Sequence, residues 1–249
     1  MKVVAAAWER RNLGLDVTEI SLDRLDVEKE PETLKVLKEY MIPRRYVVVK
    51  VPTGAVAFLA QLQALGFIFL ECQYSISVKL KDYVVPPRFS SLAESVSLEP
   101  LSDEKSEWLN LCRLIGDAMF TTDRIALDPL FGVDVANKRY KNWLMDMWEN
   151  PSIFVTQIKY KKQNIGFFAE TLDFETRTSH CLLSGLFKVC QRKGWGGSII
   201  HGPLRLNMER KIEKFSTSIS SNNLAVWRWY ILFGFCIDNA NYVFRYYLN

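Results

Sequence analysis

The segment of this sequence best suited to bind an anion is the loop at residues 191–197, QRKGWGG. Three of the chain's 12 glycines occupy its last four positions. The apolar run CLLSGLFKV precedes the loop and SIIHGPLRLNMER follows it, so the loop is predicted to join a strand to the N-terminus of a helix. Backbone N–H groups at a helix N-terminus bind phosphate, and Arg192 and Lys193 add positive charge there. A plain glycine-rich turn fits the same pattern.

Two well-known phosphate loops are excluded by their spacing. A Walker loop requires Gly-Lys-Ser/Thr after four intervening residues, and a dinucleotide loop requires G-x-G-x-x-G after the first strand of a βαβ unit. The sequence contains neither pattern in the required place.

The elements that position this loop alternate between apolar β-branched runs and helical patterns, which is typical of an α/β or α+β protein. Strands are predicted at 46–51, 67–78, 95–98, 153–160, 165–172, 179–189, 216–220 and 242–247. Helices are predicted at 53–65, 103–118, 133–149, 196–210 and 223–233. Asp103 is the expected N-cap of the second helix, and Ala118 is expected in its last turn.

A domain boundary is predicted near residue 90, where Pro86 and Pro87 precede a serine-rich stretch. The division is a small αβ domain at 1–90 and a larger domain at 91–249. A short repeat links the two: LQALGF before one predicted strand resembles ILFGF before another. In each, the glycine (Gly66, Gly234) is the expected left-handed end of a helix, and the phenylalanine begins the buried face of a strand.

Composition limits the function classes. The chain has 249 residues, a net charge of +4 without a polybasic block, five cysteines without metal-ligand spacing, and two histidines. We therefore expect no nucleic-acid partner and no metal. The N-terminal apolar run is interrupted too early for a signal peptide, and no run is long enough to span a membrane. Reduced cysteines indicate a cytoplasmic protein.

Two motifs together resemble the GNAT superfamily of acyl-coenzyme A N-acyltransferases. The loop resembles the family's Gln/Arg-x-x-Gly-x-Gly/Ala pyrophosphate loop, and NLAVWRWYILFGF, which begins at Asn223, resembles its second signature. Trp229 replaces the family's usual leucine. The motifs begin 32 residues apart (191 to 223) in the family's order, and the resemblance covers most of residues 95–249.

The resemblance implies the GNAT fold, an α/β (α+β) fold with a mixed central sheet flanked by helices, and the small N-terminal domain would be a truncated GNAT half. It implies acetyl-coenzyme A as cosubstrate and no metal. The residues expected to bind the coenzyme are Leu186, Phe187, Gln191, Arg192, Lys193, Gly194, Trp195, Gly196, Gly197, Ser198 and Asn223. Tyr230 would be catalytic, at the leaving thiolate.

Acyl transfer to an amine requires a neutral nucleophile and a proton or hydrogen bond for the thiolate. Tyr230 suits the second task, although a phenol gives its proton to a thiolate uphill by about 2 kcal/mol. The general base is open among Glu170, Asp173 and Glu175. His180 and His201 are interpreted as structural.

The N-terminal segment 46–76 and the segment 124–144 resemble bacterial TDP-amino-sugar N-acetyltransferases of the TDP-fucosamine type. The implied acceptor is the amino group of a nucleotide-linked deoxyamino sugar. It would contact aromatic residues (Phe131, Tyr140, Trp143) and cations (Arg124, Lys138, Arg139). A plain apolar helix face explains Tyr140 and Trp143 equally well.

Other functions remain open at this point. One is a GNAT enzyme for a different amine, such as an amino acid, a polyamine, an antibiotic or a protein. Another is a non-catalytic acyl-coenzyme A sensor. The oligomeric state is left open between monomer and homodimer.

Overall fold

The computed structural model describes residues 1–90, 94–116 and 119–248. In these residues ten strands form one sheet, in the spatial order β1-β2-β3-β10-β4-β9-β8-β7-β6-β5. The strands are β1 (Lys2–Ala5), β2 (Asp16–Ser21), β3 (Arg45–Pro52), β4 (Ile68–Lys79), β5 (Val96–Pro100), β6 (Ile153–Tyr160), β7 (Gln163–Asp173), β8 (Thr178–Leu186), β9 (Lys214–Ser220) and β10 (Cys236–Tyr246). The α-helices are α1 (Arg10–Leu13), α2 (Arg24–Glu28), α3 (Glu30–Tyr40), α4 (Val56–Ala64), α5 (Lys105–Leu114), α6 (Arg124–Leu127), α7 (Gly132–Trp148), α8 (Ser198–Glu209) and α9 (Leu224–Leu232).

Each predicted strand has a counterpart in the sheet, and the mixed α/β fold is confirmed. The prediction for β8 was too long, because a 3-10 turn at Lys188–Cys190 follows Leu186. The prediction that Asp103 is the N-cap of helix α5 was wrong. Glu104 occupies the N-cap position of α5, and its side chain makes no capping hydrogen bond. Ala118 lies outside the described residues. No helix in the described part of the chain has the length and apolar character to cross a bilayer.

The predicted repeat has a structural counterpart. Gly66 and Gly234 have φ angles of 89° and 79° at the ends of α4 and α9, as their left-handed role requires. Phe67 and Phe235, which follow them, are buried. The strands after them, β4 and β10, pair antiparallel. Tyr74 and Tyr242 are equivalent positions, because each lies eight residues after the glycine of its repeat. Tyr74 pairs with Ala240 and Tyr242 pairs with Cys72, so the two strands are related by a local twofold axis.

The two β-α-β units of this repeat exchange their last strands. The first unit is β3-α4-β4 and the second is β9-α9-β10. Strand β10 pairs with β3, while β4 pairs with β9, so the central order is β3-β10-β4-β9. The sheet therefore continues across the boundary near residue 90. The division into domains at 1–90 and 91–249 stays a prediction.

Helices cover the sheet and place the cavities. Helix α8 packs across β5, β6, β7 and β8. The start of α6 and one side of α7 face strands β2, β3 and β4 across a cavity. The largest core cluster includes Phe167, Phe168 and Phe215 of the sheet and Leu204 of α8, all nearly inaccessible to solvent.

Candidate active site

The most informative local feature is the divergence of two parallel strands. Strands β8 and β9 pair from Thr178 and Lys214 as far as Cys181 and Thr217, and their ladder ends there. Strand β8 then continues to Leu186 and β9 to Ser220. A shift in the β7–β8 register next to Leu182 accompanies the divergence, as β-bulges often do beside functional sites. Strand edges that diverge in this way can pair with an extended ligand.

A cavity of about 160 Å³ lies between the diverging strands. Leu183 and Ser184 line it from β8, and Ser218 lines it from β9. Asn223 and Tyr230 line it from the second signature, so the structure brings these two predicted residues together. Ile199, in the first turn of α8, also lines it, which places the cavity beside the start of that helix. Asn223 caps α9 by accepting a hydrogen bond from the amide of Val226 at 3.3 Å.

The environment of Tyr230 keeps its hydroxyl protonated. Its side chain is 5% exposed and packs edge-on against Phe235. Burial, followed by the charge of Cys181, raises the pKa of Tyr230, whereas the hydroxyls of Thr217 and Ser184 oppose the rise. A protonated phenol in this place can donate a hydrogen bond toward the cavity.

The glycine loop joins β8 to α8, as predicted. Gly194 has a φ of 83°, and Arg192 also has a positive φ, of 62°. A 3-10 turn at Trp195–Gly197 leads into α8, whose N-cap position makes no side-chain hydrogen bond. Arg192 and Lys193 are exposed, and Trp195 packs against Tyr160 at 5.3 Å. The hydroxyl of Ser198 is buried and has no hydrogen-bond partner among the described residues.

Two of the loop glycines have a packing role that the sequence did not predict. A Cβ on Gly196 would lie 2.5 Å from Nε1 of Trp229, and a Cβ on Gly197 would lie 2.6 Å from the ring of Phe89. These glycines therefore admit aromatic rings. Gly194 has open space around it and needs glycine for its dihedral angle. Phosphate binding by this loop stays a prediction.

Leu186 and Phe187 each have a backbone group that already makes a hydrogen bond within the protein. The carbonyl of Leu186 accepts a hydrogen bond from the Gln191 side chain at 3.1 Å, and the amide of Phe187 donates to the Ile165 carbonyl at 3.0 Å. Neither residue lines the small cavity, where Leu183 and Ser184 lie instead. Gln191 thus braces the end of β8, and its own role in coenzyme binding remains a prediction.

A second cavity, of about 610 Å³, adjoins the first. The two share seven lining residues: Asp123, Tyr140, Trp143, Cys181, Leu182, Ser218 and Ser220. The floor of the larger cavity includes charged side chains from three strands, Glu19, Lys50 and Glu71. Lys50 and Glu71 flank Val243 of β10 in the sheet, so the exchanged strand sets their spacing.

Most of the charges around the larger cavity are paired with each other. Glu19 forms an ion pair with Arg124, Arg139 contacts Glu9 at 2.6 Å, and Asp146 pairs with Arg11. Among the described residues, Lys50 has no ion-pair partner; burial and then the charge of Arg124 lower its pKa. The arginines predicted to contact a diphosphate are therefore neutralised by carboxylates of this chain.

The aromatic and cationic residues predicted for the acceptor separate into two groups. Tyr140, Trp143, Arg124 and Arg139 line the larger cavity. Phe131 packs on Tyr46 with ring centroids 5.2 Å apart, and Lys138 is exposed; neither lines a cavity.

The three carboxylates considered as general base lie elsewhere. Glu170 is fully buried against α8, where Arg210 and Asn207 each contact it at 2.6 Å. Asp173 accepts hydrogen bonds from the amides of Glu175 and Thr176 in an exposed turn. None of these carboxylates lines either cavity.

The histidines also differ in position. His201 pairs through Nδ1 with the Tyr83 hydroxyl at 2.6 Å, and burial lowers its pKa to about 4. His180 lines the larger cavity and contacts the Ser216 hydroxyl at 3.0 Å.

Sequence reasoning missed the carboxylates that line the cavities, and two of them, Glu71 and Asp123, are not paired with an arginine. Glu71 is 4% exposed, and no described residue donates a hydrogen bond to its Oε2. Asp123 caps α6 through Oδ1, while its buried Oδ2 has no hydrogen bond of ordinary geometry in the described part of the chain and the Tyr140 hydroxyl lies nearby. A local signal existed for each: Glu71 interrupts the apolar strand IFLECQYSI, and Asp123 precedes the short helical run RIAL.

No protein-family model and no curated protein matches the sequence. Solved structures do match the fold. A GCN5-related N-acetyltransferase from Sphaerobacter thermophilus is similar at 8% identity with a TM-score of 0.63, over 98% of this chain and 75% of that one. A tandem GNAT protein from the clavulanic acid biosynthesis pathway is similar at 10% identity with a TM-score of 0.53, over 94% and 75%. A GCN5-related glucosamine N-acetyltransferase region of a fungal multi-domain β-N-acetylglucosaminidase is similar at 13% identity with a TM-score of 0.60, over 98% of this chain and 31% of that one. The chain therefore has the fold of the GNAT N-acetyltransferases.

Proposed function

We propose that this protein is an N-acyltransferase that moves an acetyl group from acetyl-coenzyme A directly to an amine in a ternary complex. The observation that carries the proposal is the divergence of β8 and β9, with a cavity between them that Asn223 and Tyr230 line. The extended arm of the coenzyme fits between such strands, and the start of α8 offers backbone N–H groups for its pyrophosphate. The larger adjoining cavity would hold the acceptor.

Tyr230 is the proposed partner of the leaving thiolate. Its raised pKa makes full proton donation to a thiolate more unfavourable than for a free phenol. A hydrogen bond from the hydroxyl to the developing negative charge on sulfur therefore describes its role best, because such a bond is strong in a buried site.

For the acceptor we propose an amino sugar. More specifically, we propose that this sugar is linked to a nucleotide and that the nucleotide is TDP. The size of the larger cavity and the presence of Tyr140 and Trp143 in its wall support a sugar, because aromatic rings pack on apolar sugar faces. The diphosphate has weaker support, since Arg124 and Arg139 are paired with carboxylates, and of the described lysines and arginines that line the cavity this leaves Lys50.

Calorimetric titration with acetyl-coenzyme A tests the first part of this proposal, and absence of binding would refute it. Thiol release is then followed with free amino sugars, TDP- and UDP-linked amino sugars, polyamines, amino acids and aminoglycosides. Thiol release with amino sugars, and not with the other amines, supports an amino sugar as the acceptor. Coenzyme binding without release from any amine would instead favour a sensor of acyl-coenzyme A.

A further inference from the structure

Two of the four carboxylates that line the larger cavity, Glu71 and Asp123, have no ion-pair partner among the described residues. Glu19 and Asp146 are each paired with an arginine. Among the described residues, Oε2 of Glu71 and Oδ2 of Asp123 are buried and accept no hydrogen bond of ordinary geometry, although the Tyr140 hydroxyl lies near Asp123. A buried unpaired carboxylate is costly unless something satisfies it, so its presence in a cavity wall indicates a ligand with matching donors.

The positions of the two carboxylates match the path of the reaction. Asp123 lines both cavities, so it lies where the acceptor meets the acyl group. Glu71 lines only the larger cavity, beside Ser220, which lines both. Tyr230 lines only the smaller one. The order from acceptor to thiolate is therefore Glu71, Asp123, Tyr230.

We infer that Glu71 and Asp123 together hold the ammonium group of the acceptor and that Glu71 takes its first proton. This inference rests on the proposed function and adds the charge class of the substrate and its general base. Once the carboxylate of Glu71 has accepted a proton, the neutral amine attacks the thioester carbonyl and forms the C–N bond. The C–S bond then breaks, and sulfur leaves with the bonding pair while the Tyr230 hydroxyl donates a hydrogen bond to it. The second excess proton of the nitrogen passes to this sulfur as the tetrahedral intermediate collapses.

The surroundings of the two carboxylates support different roles for them. The Oδ1 atom of Asp123 accepts hydrogen bonds from the amides of Ile125 and Ala126 at 2.8 Å and 2.7 Å, so its side chain is held in place at the junction. Burial raises the pKa of Glu71, and the Ser220 hydroxyl opposes the rise. A pair of carboxylates with contrasting environments can divide binding and proton transfer between them. The groups that act on Glu71 are Lys50 of β3, Asp123 and Arg124 at the start of α6, Ser220 of β9 and Tyr140 of α7.

Binding is tested separately from turnover with glucosamine and glucose, which differ in one substituent, an ammonium or a hydroxyl. The coenzyme-loaded wild-type protein should bind glucosamine at least tenfold more tightly than glucose at pH 7. Glu71→Gln and Asp123→Asn should each reduce that preference to within about twofold, and Asn keeps the cap of α6. An equal affinity for the two sugars in the wild type, or an unchanged preference in both variants, overturns the inference.

Turnover supplies the second readout. With the amine that releases thiol fastest, Glu71→Gln should lower kcat/KM at least a hundredfold and remove the acidic limb of its pH profile. Glu213→Gln is the matched control, because Glu213 is an exposed partner of Arg177, and it should change neither value. If Glu71→Gln retains wild-type turnover while acetyl-coenzyme A still binds, only the carboxylate assignment fails. If the coenzyme does not bind to the wild type, the proposed function itself fails.

Discussion

Gly196→Ala should destabilise the protein through one side chain, that of Trp229. The added Cβ would lie 2.5 Å from Nε1, 3.1 Å from Cε2 and 3.3 Å from Cδ1 of that ring. Since ordinary contacts begin near 3.5 Å, the ring must move by about 1 Å. Phe89 and Phe233 pack on the same ring, with centroids 5.8 Å and 6.1 Å away, and resist the movement.

The expected loss follows from two opposing effects. Overpacking of this kind costs about 1–3 kcal/mol. Alanine gains about 1 kcal/mol over glycine in a helical conformation. The free energy of unfolding should therefore fall by up to about 2 kcal/mol, which lowers the melting temperature by about 2–4 °C for each kcal/mol in a chain of this size.

A double-mutant cycle with Trp229→Leu isolates the contact. In the double variant the Cβ of residue 196 has the space that the indole occupied, so part of the loss from Gly196→Ala should disappear. Urea denaturation of the four proteins should give a coupling free energy of about 1–2 kcal/mol. Additive losses would refute the packing explanation of Gly196.

The cycle also separates packing from phosphate binding, because acetyl-coenzyme A affinity can be measured on the same four proteins. If the pyrophosphate approaches the amide at 196, the double variant should regain stability but not affinity. Recovery of both would show that the glycine serves the indole alone.

Three further predictions concern buried polar side chains. Tyr230→Phe should lower kcat by about 10–100-fold, because a hydrogen bond to the thiolate is lost, with an unchanged calorimetric affinity for acetyl-coenzyme A. Glu71→Gln should melt at a higher temperature than the wild type at pH 7, and the difference should vanish at pH 4. The carboxyl has a folded pKa above its unfolded one, so stability falls as the pH rises through that interval. Glu170→Ala should lower the free energy of unfolding, measured in urea, by about 3 kcal/mol, because it leaves Arg210 and Asn207 without their buried partner.

Each of these predictions has an outcome that contradicts it. Unaltered kcat in Tyr230→Phe would remove its role at the thiolate. A melting difference for Glu71→Gln that is independent of pH would mean that ionisation of this carboxyl does not limit stability. A loss below about 1 kcal/mol in Glu170→Ala would place its ion pair among the weak surface pairs.

The glycine loop illustrates what the sequence could predict. Its place between a strand and a helix, and the left-handed Gly194, follow from local patterns. The need for glycine at positions 196 and 197 does not follow from local patterns, because the rings that require it belong to Trp229 and Phe89, far away in the chain. Steric constraints from distant residues leave no local signature.

The general base illustrates the same limit. The predicted candidates end or follow the strand that adjoins β8, and Glu170 instead faces α8. Glu71 lines the cavity because β10 lies between β3 and β4 and so brings the β3-α4-β4 unit beside the β9-α9-β10 unit. No periodicity in the sequence encodes that exchange. The short strand β1 was missed for a simpler reason, since its residues are mostly exposed and show no alternation.

The exchange of β4 and β10 has a consequence for how the chain acquires its fold. Val51 pairs with Tyr242, and Ile76 pairs with Ile237, so the centre of the sheet consists of contacts between residues far apart in sequence. Contacts of this kind slow folding, because a large loop must close before they form. During synthesis β3 and β4 emerge well before β10, and until then each leaves an edge open in the nascent chain. Open strand edges are sites of aggregation, so this architecture makes a holding chaperone most useful in the interval before residues 236–246 leave the ribosome.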